Sequence, residues 1–221
     1  MFVNKKYEYS SLLEYLPVRY PANSVQMADR NEVYRFKDGH ASMRIKSLLV
    51  EKINEITGSD KDQWLVVFIP SSSQERTTKR YGVLAKFLCL QTGVETSMSV
   101  ITNRIDRSSK HLSDNVVNPV STFSFDLQAV AGKNIILVDD VITTGTTFRL
   151  CAIKLKRLGA VHIQGLFVAR TVHPTDNTVS CVKNSSNGMQ ECKRDTYPMM
   201  MDEVMRDLVE RIQQRREKKH R

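Results

Sequence analysis

Several patterns that would assign a site at once are missing from this sequence. It has no Walker-type Gly-Lys-Ser/Thr and no Gly-x-Gly-x-x-Gly after a strand, which excludes two common glycine-loop nucleotide motifs. Its apolar runs are far shorter than the ~20 residues of a membrane helix, and no signal-peptide pattern is present. We therefore expect a cytoplasmic protein that does not contact a membrane.

Cysteine is scarce and scattered, with four residues and no Cys-x-x-Cys pair. Cys89 and Cys151 fall on predicted helices, where a thiol usually acts as a small core residue. Cys181 and Cys192 could form a disulfide or bind a metal ion. The simpler interpretation is that all four are the reduced thiols of a cytoplasmic protein.

The length and the charge set the domain count and the kind of partner. A chain of 221 residues typically forms one domain with room for a small appendage. We predict a single domain over residues 1–198, with its core at about 42–170, followed by a basic helix or tail over 199–221. The net charge of +9 favours an anionic partner, which is either nucleic acid or the polyphosphate of a substrate.

The tail carries much of this positive charge. Residues 206–221 hold seven Lys or Arg against three acids, and the apolar residues before them recur at helical spacing, which predicts a helix that frays into a solvated terminus. Aromatic residues are not interleaved with these charges, so the stacking half of a single-strand binding surface is missing. A weak contact with nucleic acid is the most that this tail indicates.

Hydrophobic periodicity predicts alternating strands and helices. We expect helices at 42–56 and 79–92, strands at 64–69, 95–102, 135–138 and 161–169, and short extended pieces at 34–39 and 122–125. Residues 171–197 show no clear period and are rich in Asn, Ser and Thr, which indicates a small irregular lobe. This alternation is typical of an α/β fold with a mostly parallel central sheet flanked by helices.

The most informative stretch is 134–147, which reads Asn-Ile-Ile-Leu-Val-Asp-Asp-Val-Ile-Thr-Thr-Gly-Thr-Thr. A buried strand is predicted to end in two adjacent carboxylates, Asp139 and Asp140, and a loop of hydroxyl residues around Gly145 then leads into an amphipathic helix. At the carboxyl end of a parallel strand, the backbone N–H groups and dipole of a following helix favour a phosphate. Carboxylates there can accept hydrogen bonds from ribose hydroxyls or bind a metal. Taken alone, two adjacent Asp residues are also typical of a solvated turn.

This stretch resembles the phosphoribosyl-pyrophosphate (PRPP) signature of type I phosphoribosyltransferases at essentially every position. The resemblance implies the type I phosphoribosyltransferase-like fold, with Asp139 and Asp140 on the ribose 2′- and 3′-hydroxyls. It also implies that the 5′-phosphate is bound by Thr143, Thr144, Gly145, Thr146 and Thr147. Over residues 65–170 the chain looks most similar to the competence protein F group, although it lacks the Cys-x-x-Cys zinc element common there.

A second strand also runs into a small polar loop, at Phe68-Ile-Pro-Ser-Ser-Ser-Gln-Glu-Arg76. Its amides and hydroxyls could bind a second anion, and Arg76, Lys79 and Arg80 supply positive charge nearby. In type I phosphoribosyltransferases the loop in this place holds the pyrophosphate, which implies a pyrophosphate loop made of Ser71, Ser72, Ser73 and Arg76. Alternatively, Ser72 or Ser73 simply caps the following helix, and both interpretations can hold at once.

A third segment, 103–113, is polar and basic and lies between two predicted extended pieces. Long polar loops inside compact domains often act as lids, and a basic lid would stabilise departing pyrophosphate and exclude water. The resemblance favours such a catalytic loop, with Arg104, Arg107 and Lys110 as its catalytic cations. The alternative is an exposed hairpin with solvated charges.

The function implied by the resemblance is Mg²⁺-dependent transfer of a 5-phosphoribosyl group from PRPP to a small nitrogenous base, with release of pyrophosphate. Mg²⁺ would be held mainly by PRPP and water, with a possible contribution from Asp139 or Asp140. A homodimer is expected. Enzymes that use 6-oxopurines usually place an Asp where Thr143 stands, so this residue argues against that class. Two alternatives stay open: a PRPP-sensing regulator, and a nucleic-acid-handling accessory protein without transferase activity.

Overall fold

The computed structural model describes residues 7–104 and 119–174. Within these ranges the chain forms seven strands: β1 (Tyr9–Tyr15), β2 (Trp64–Phe68), β3 (Glu95–Ser97), β4 (Ile101–Asn103), β5 (Phe123–Phe125), β6 (Asn134–Ile142) and β7 (His162–Thr171). It also forms five α-helices: α1 (Ser24–Lys37), α2 (Met43–Thr57), α3 (Gln74–Thr92), α4 (Leu127–Val130) and α5 (Thr146–Arg157). Short 3-10 turns precede β2 and β5.

Five strands form one sheet in the order β1-β7-β6-β2-β3, and every pair of neighbours in it is parallel. The strands β4 and β5 pair antiparallel in a separate hairpin. The predicted α/β class, with a mostly parallel sheet flanked by helices, is confirmed. The predicted irregular lobe at 171–197 and the tail at 199–221 lie almost entirely outside the described residues, so the domain bounds stay predictions.

Helices cover both faces of the sheet because the central strands are apolar on both sides. All five residues of β2 are buried, as are the four residues of β6 before the acidic pair. One face packs against α1, α2 and α3. The other packs against α5 and the β4–β5 hairpin, with Cys151 as a buried core residue of α5. Cys89 lies half-buried on α3, and the remaining two cysteines lie outside the described residues.

The strand order changes direction between β2 and β6. The chain moves from β2 outward to β3, and it later returns to place β6 on the other side of β2. Helix α3, which follows β2, and helix α5, which follows β6, consequently lie on opposite faces of the sheet. The loops at the carboxyl ends of β2 and β6 therefore diverge and leave a crevice between them, which is where ligands of open α/β sheets bind.

The prediction of a short strand and turn at 34–39 is wrong, because these residues end helix α1. Asn23 and Gln26 form a reciprocal capping box that starts this helix, and Val33 and Phe36 are its buried anchors. The edge strand β1, which pairs with β7, was not predicted. Its residues alternate weakly between apolar and polar, since an edge strand is only partly covered.

The single strand predicted at 95–102 is also wrong, since it forms two strands in different sheets. Strand β3 ends at Ser97, and the hydroxyls of Ser97 and Ser99 then hydrogen-bond to each other at 3.1 Å. This local contact turns the chain into β4. The predicted start of helix α3 is corrected as well, because the helix begins at Gln74, capped by Ser73, rather than at Lys79. Among the described residues, no helix is long and apolar enough to cross a membrane.

We predict that Gly165→Ala destabilises the protein by ~1–3 kcal/mol, because the added methyl overpacks the core. A Cβ at Gly165 would lie 2.7 Å from the Phe167 ring and 2.9 Å from the Phe148 ring. Urea unfolding measures the effect. The matched control is Gly82→Ala on α3, whose nearest neighbour would be 3.8 Å away; it should stabilise by up to ~1 kcal/mol. Equal effects of the two substitutions would contradict this account of the β7 core.

Candidate functional site

The acidic pair lies inside strand β6 rather than just beyond it. Pairing with β7 continues through Asp139, Val141 and Ile142, which extends the strand past the end expected from its apolar run. Asp139 and Asp140 are both half-buried. The alternative of a solvated turn is therefore wrong, and both carboxylates are fixed at the crevice between β2 and β6.

Two neighbouring side chains of α3 hold the two carboxylates. Arg80 Nη1 donates to Asp140 Oδ2 at 2.6 Å, and both side chains are mostly covered, with exposures of 13% and 15%. The Tyr81 hydroxyl donates to Asp139 Oδ1 at 3.1 Å. Tyr81 is itself fully buried and stacks on Phe68 with ring centroids 4.7 Å apart. We call Arg80, Tyr81, Asp139 and Asp140 the carboxylate clamp.

The clamp was only partly foreseen from the sequence. Arg80 entered as nearby positive charge, and Tyr81 was missed. Nothing local marks Tyr81 as a partner of Asp139, because the contact joins residues 58 positions apart. One sequence signal could have indicated the contact. Arg80 and Tyr81 lie about two turns into the helix that follows β2, and the acidic pair lies on β6, the neighbour of β2 in the sheet.

The clamp sets unusual electrostatics at Asp139. Burial, and then the negative charge of Asp140, raise the pKa of Asp139 to about 7. The Asp140 N–H, 2.8 Å from Asp139 Oδ1, opposes this rise, as do Arg80 and the Tyr81 hydroxyl. Burial also raises the pKa of Tyr81 well above its usual value, so its hydroxyl stays protonated and donates. Asp139 can thus change charge near neutral pH.

The threonine loop after β6 leads directly into α5. Gly145 is the N-cap of that helix with φ +70°, so Thr146 and Thr147 form its first turn rather than a loop. A glycine cap offers no side-chain acceptor to the first N–H groups. The loop side chains hydrogen-bond to neighbours, Thr143 to Thr171 at 2.9 Å and Thr144 to Thr146 at 3.0 Å. This end of α5 is suited to an anion.

Two cavities adjoin the acidic pair. The first, of about 160 Å³, is lined by the residues 143–147, by Asp139 and by Phe148. The second, of about 240 Å³, is lined by Ser71 and Ser72, Arg80, both carboxylates and Thr147. The cavities share Asp139 and Thr147. The fold therefore brings the threonine loop, the acidic pair and the serine loop together, as their order in the sequence predicted.

The serine loop has at least a capping role. Ser73 is buried, and its hydroxyl accepts from the Arg76 N–H at 3.2 Å, which confirms the N-cap interpretation for this residue. The Ser71 N–H donates to the Thr77 hydroxyl at 3.0 Å. Ser72 accepts from Arg76 Nη1 at 3.2 Å. Of the predicted pyrophosphate loop, Ser71 and Ser72 line the second cavity, while Ser73 faces the helix.

The basic segment is only partly described. Arg104 directly follows β4, and its Nε donates to Ser124 Oγ at 3.0 Å across the hairpin. It lines a third cavity against α5 and neither cavity that adjoins the acidic pair. Arg107 and Lys110 lie outside the described residues. The catalytic roles of all three stay predictions.

The acidic pair fits hydroxyl groups better than a metal ion. Asp140 is already paired with Arg80, and burial raises the pKa of Asp139 to about 7, which favours its neutral form more than in an exposed carboxylate. Mg²⁺ is a hard ion that binds charged carboxylates and keeps most of its waters. Among the described residues, no group of three or more His, Cys, Asp or Glu could hold a metal. A magnesium ion here would depend mainly on the phosphates of a bound ligand.

We predict that Asp139→Asn changes how stability depends on pH. The folded-state pKa of Asp139 is about 7, above its ordinary 3.8, so the protonated form is favoured in the folded protein. The contribution of this protonated carboxyl to the free energy of unfolding is full below pH ~4 and is lost as pH rises to ~7. The fall in the free energy of unfolding over this window should therefore be shallower in the variant, measured by urea unfolding at several pH values. Asp60→Asn, at an exposed acid, is the control, and an unchanged pH profile in Asp139→Asn would refute the buried titration.

Comparisons with known proteins give only distant structural likeness. No protein-family model matches the chain, and no curated protein matches its sequence.

A structure described as the allosteric regulatory enzyme of purine biosynthesis is 21% identical, covering 56% of this chain and 25% of that one, with a TM-score of 0.36. A hypoxanthine-guanine phosphoribosyltransferase from Bacillus anthracis is 13% identical, covering 64% and 73%, with a TM-score of 0.38. A hypothetical protein from Neisseria gonorrhoeae with bound ppGpp is 15% identical, covering 59% and 67%, with a TM-score of 0.37. The match thus spans a quarter of the first of these proteins, and similarity at this level does not establish a shared activity.

Proposed function

We propose that this protein binds PRPP in the two adjoining cavities and transfers its phosphoribosyl group to a nitrogenous base. The observation that carries the proposal is the pair of cavities that share Asp139 and Thr147 at the switch point of the sheet. PRPP has an anionic group at each end of a polyhydroxylated ring. A site for it needs two anion pockets with hydroxyl acceptors between them, and that order matches the residues here.

The 5′-phosphate belongs at the N-terminal end of α5, where, among the described residues, only Thr144 Oγ1 accepts a first-turn N–H, at 3.4 Å. The first N–H groups of a helix carry a partial positive charge and need acceptors. The cap residue Gly145 supplies none from a side chain. Phosphate oxygens would accept from these N–H groups and from the hydroxyls of Thr146 and Thr147, with Gly145 allowing close approach of the backbone.

The ribose hydroxyls belong at the acidic pair. The Tyr81 hydroxyl and the Asp140 N–H both donate to Oδ1 of Asp139. Asp139 lines both cavities, and its other oxygen, Oδ2, which accepts neither of these bonds, is the natural acceptor for a ribose hydroxyl. Because an ionised carboxylate is the stronger acceptor, this contact strengthens as pH rises through about 7.

The pyrophosphate belongs in the second cavity. Ser72, Arg76 and Arg80 bring one hydroxyl and two guanidinium groups to this side of the crevice, and Arg80 lines the cavity directly. Transfer forms a bond from the acceptor nitrogen to ribose C1 and breaks the bond from C1 to the pyrophosphate oxygen. Positive groups at the leaving pyrophosphate lower the barrier by stabilising its developing charge. Mg²⁺ on the pyrophosphate would supply further charge neutralisation.

One observation favours a second candidate, binding without transfer. Arg104, the described member of the three predicted catalytic cations, contacts Ser124 and lines neither of the cavities that adjoin the acidic pair. A chain that keeps the phosphate loop and the clamp would still recognise PRPP. It would then act as a PRPP-sensing or nucleic-acid-handling accessory protein. The assignment to the competence protein F group, the homodimer, the Mg²⁺ requirement and the cytoplasmic location also stay predictions.

We predict that Thr147→Val weakens PRPP binding about tenfold or more. The substitution removes the hydrogen bond from the Thr147 hydroxyl to a charged phosphate, and such a bond is worth ~1.5–3 kcal/mol. Isothermal titration with PRPP and millimolar Mg²⁺ measures this change. Thr78→Val, an equal substitution at an exposed position on α3, is the matched control and should bind as the unchanged protein does. If the unchanged protein shows no heat and no thermal stabilisation with PRPP, the proposed function fails.

We predict further that PRPP together with a suitable base releases pyrophosphate, and that Arg76→Gln lowers this release by a larger factor than it lowers PRPP binding. The reason is the predicted charge stabilisation at the leaving group. A panel of purine, pyrimidine and simpler nitrogenous bases should be screened by a coupled pyrophosphate assay. Binding of PRPP without release for any base would favour the sensing alternative. Equal loss of PRPP binding and of release in Arg76→Gln would contradict a role of this side chain at the leaving group.

A further inference from the structure

A third cavity lies between α5 and the β4–β5 hairpin, and the acidic pair does not line it. Its volume is about 290 Å³. Three of its lining side chains are cationic: Arg104 comes from the hairpin, and Lys154 and Arg157 come from the helix. None of the lining residues is acidic. Positive charge therefore converges on one small space from two separate elements.

The ordinary explanation for basic residues on α5 covers only part of this cluster. Cations in the last turn of a helix complement its dipole. Lys156, in that turn, donates to the carbonyls of Ala160 and Val161 just beyond the helix. Lys154 and Arg157 form no ion pair among the described residues. The helix dipole also gives no reason for Arg104, which lies on another element.

The rest of the lining is apolar. Leu150 and Ile153 of α5, together with Val120 and Phe125, form its walls. Phe125 is half-buried and lines the cavity. A ligand that satisfies this lining carries negative charge at one end and a flat apolar body at the other. The volume lies at the lower end of the ~300–1,000 Å³ of small-molecule sites, which suits one nucleotide rather than a strand.

We propose that the third cavity binds a nucleoside 5′-monophosphate at a site separate from the PRPP site. The phosphate pairs with Arg104, Lys154 and Arg157, and the base packs against Phe125. Arg side chains suit phosphate because their planar fork can donate two hydrogen bonds to it. Aromatic rings stack on any base, at ~1–3 kcal/mol per base.

This site contacts the PRPP site through the hairpin. Phe123 lines both the third cavity and the second cavity beside the acidic pair. Asn103 of β4 donates to the Ser71 carbonyl at 3.0 Å, which ties the hairpin to the serine loop. A nucleotide bound against the hairpin therefore changes the position of the serine loop, and with it the affinity for PRPP. Any such coupling is reciprocal, so PRPP changes the affinity of the nucleotide by the same factor.

The test is isothermal titration of the full-length protein with adenosine 5′-monophosphate and uridine 5′-monophosphate. Two binding events are expected, because a nucleotide phosphate also fits the loop at 143–147. The double variant Lys154→Gln with Arg157→Gln should lose one event and keep PRPP binding, while Thr147→Val should weaken the other. Adenosine and ribose 5-phosphate, which each lack half of the ligand, should bind the third cavity at least tenfold more weakly. Lys86→Gln, which removes an exposed charge from α3 on the other face of the sheet, is the matched control.

Three outcomes would overturn the proposal. The first is nucleotide binding that Thr147→Val abolishes and the double variant leaves unchanged, which assigns the nucleotide to the phosphate loop. The second is binding of a single-stranded RNA oligonucleotide, lost in the double variant, with no binding of either monophosphate. The third is no nucleotide binding in a protein that still binds PRPP. Lys154→Glu alone, at an exposed position, repeats the test independently of any effect of the double change on folding.

Discussion

The site depends on the carboxylate clamp that joins α3 to β6. Two carboxylates that are adjacent in sequence repel each other, and burying either one without a partner is costly. Arg80 relieves the repulsion by donating to Asp140, and Tyr81 gives Asp139 a partner by donating to it. The same helix begins at the serine loop, where Ser73 caps it. One helix therefore sets the distance between the serine loop and the acidic pair, since about two turns separate the cap from the clamp.

The two helix N-termini at this crevice differ in a way that assigns their roles. Helix α3 begins at Ser73, whose buried hydroxyl accepts a backbone N–H of the first turn. Helix α5 begins at Gly145, which has no side chain to do so. The first N–H groups of a helix need acceptors. At α3 the N-cap side chain supplies one. At α5 the Thr144 hydroxyl accepts from the Thr146 N–H at a long 3.4 Å, and a ligand is the natural acceptor for the N–H groups that remain. This asymmetry supports placing the 5′-phosphate at α5 and a more exposed anion contact at Ser72 and Arg76.

The sequence predicted the parts of the fold that depend on local pattern. Helix α2 and strand β2 were placed correctly, because continuous apolar runs and helical spacing are strong local signals. Helix α1 was missed because only Val33 and Phe36 of its residues are buried, so its apolar stripe is narrow. The break between β3 and β4 depends on which sheet each strand joins, and the Tyr81 contact depends on how α3 packs on the sheet. Tertiary contacts of this kind leave no periodic trace in the sequence.

The charge of the clamp determines how a metal would enter the site. Asp140 is paired with Arg80, and burial raises the pKa of Asp139 to about 7, which reduces its negative charge near neutral pH. Two such carboxylates attract a divalent cation much less than two ionised ones would. Mg²⁺ gives up its waters reluctantly and prefers charged oxygens, so it would reach this site already bound to a polyphosphate. The protein then needs only to recognise the hydroxyls and phosphates of that complex. A clamp with low net charge is suited to this, because it accepts hydrogen bonds without adding strong repulsion toward an anionic ligand.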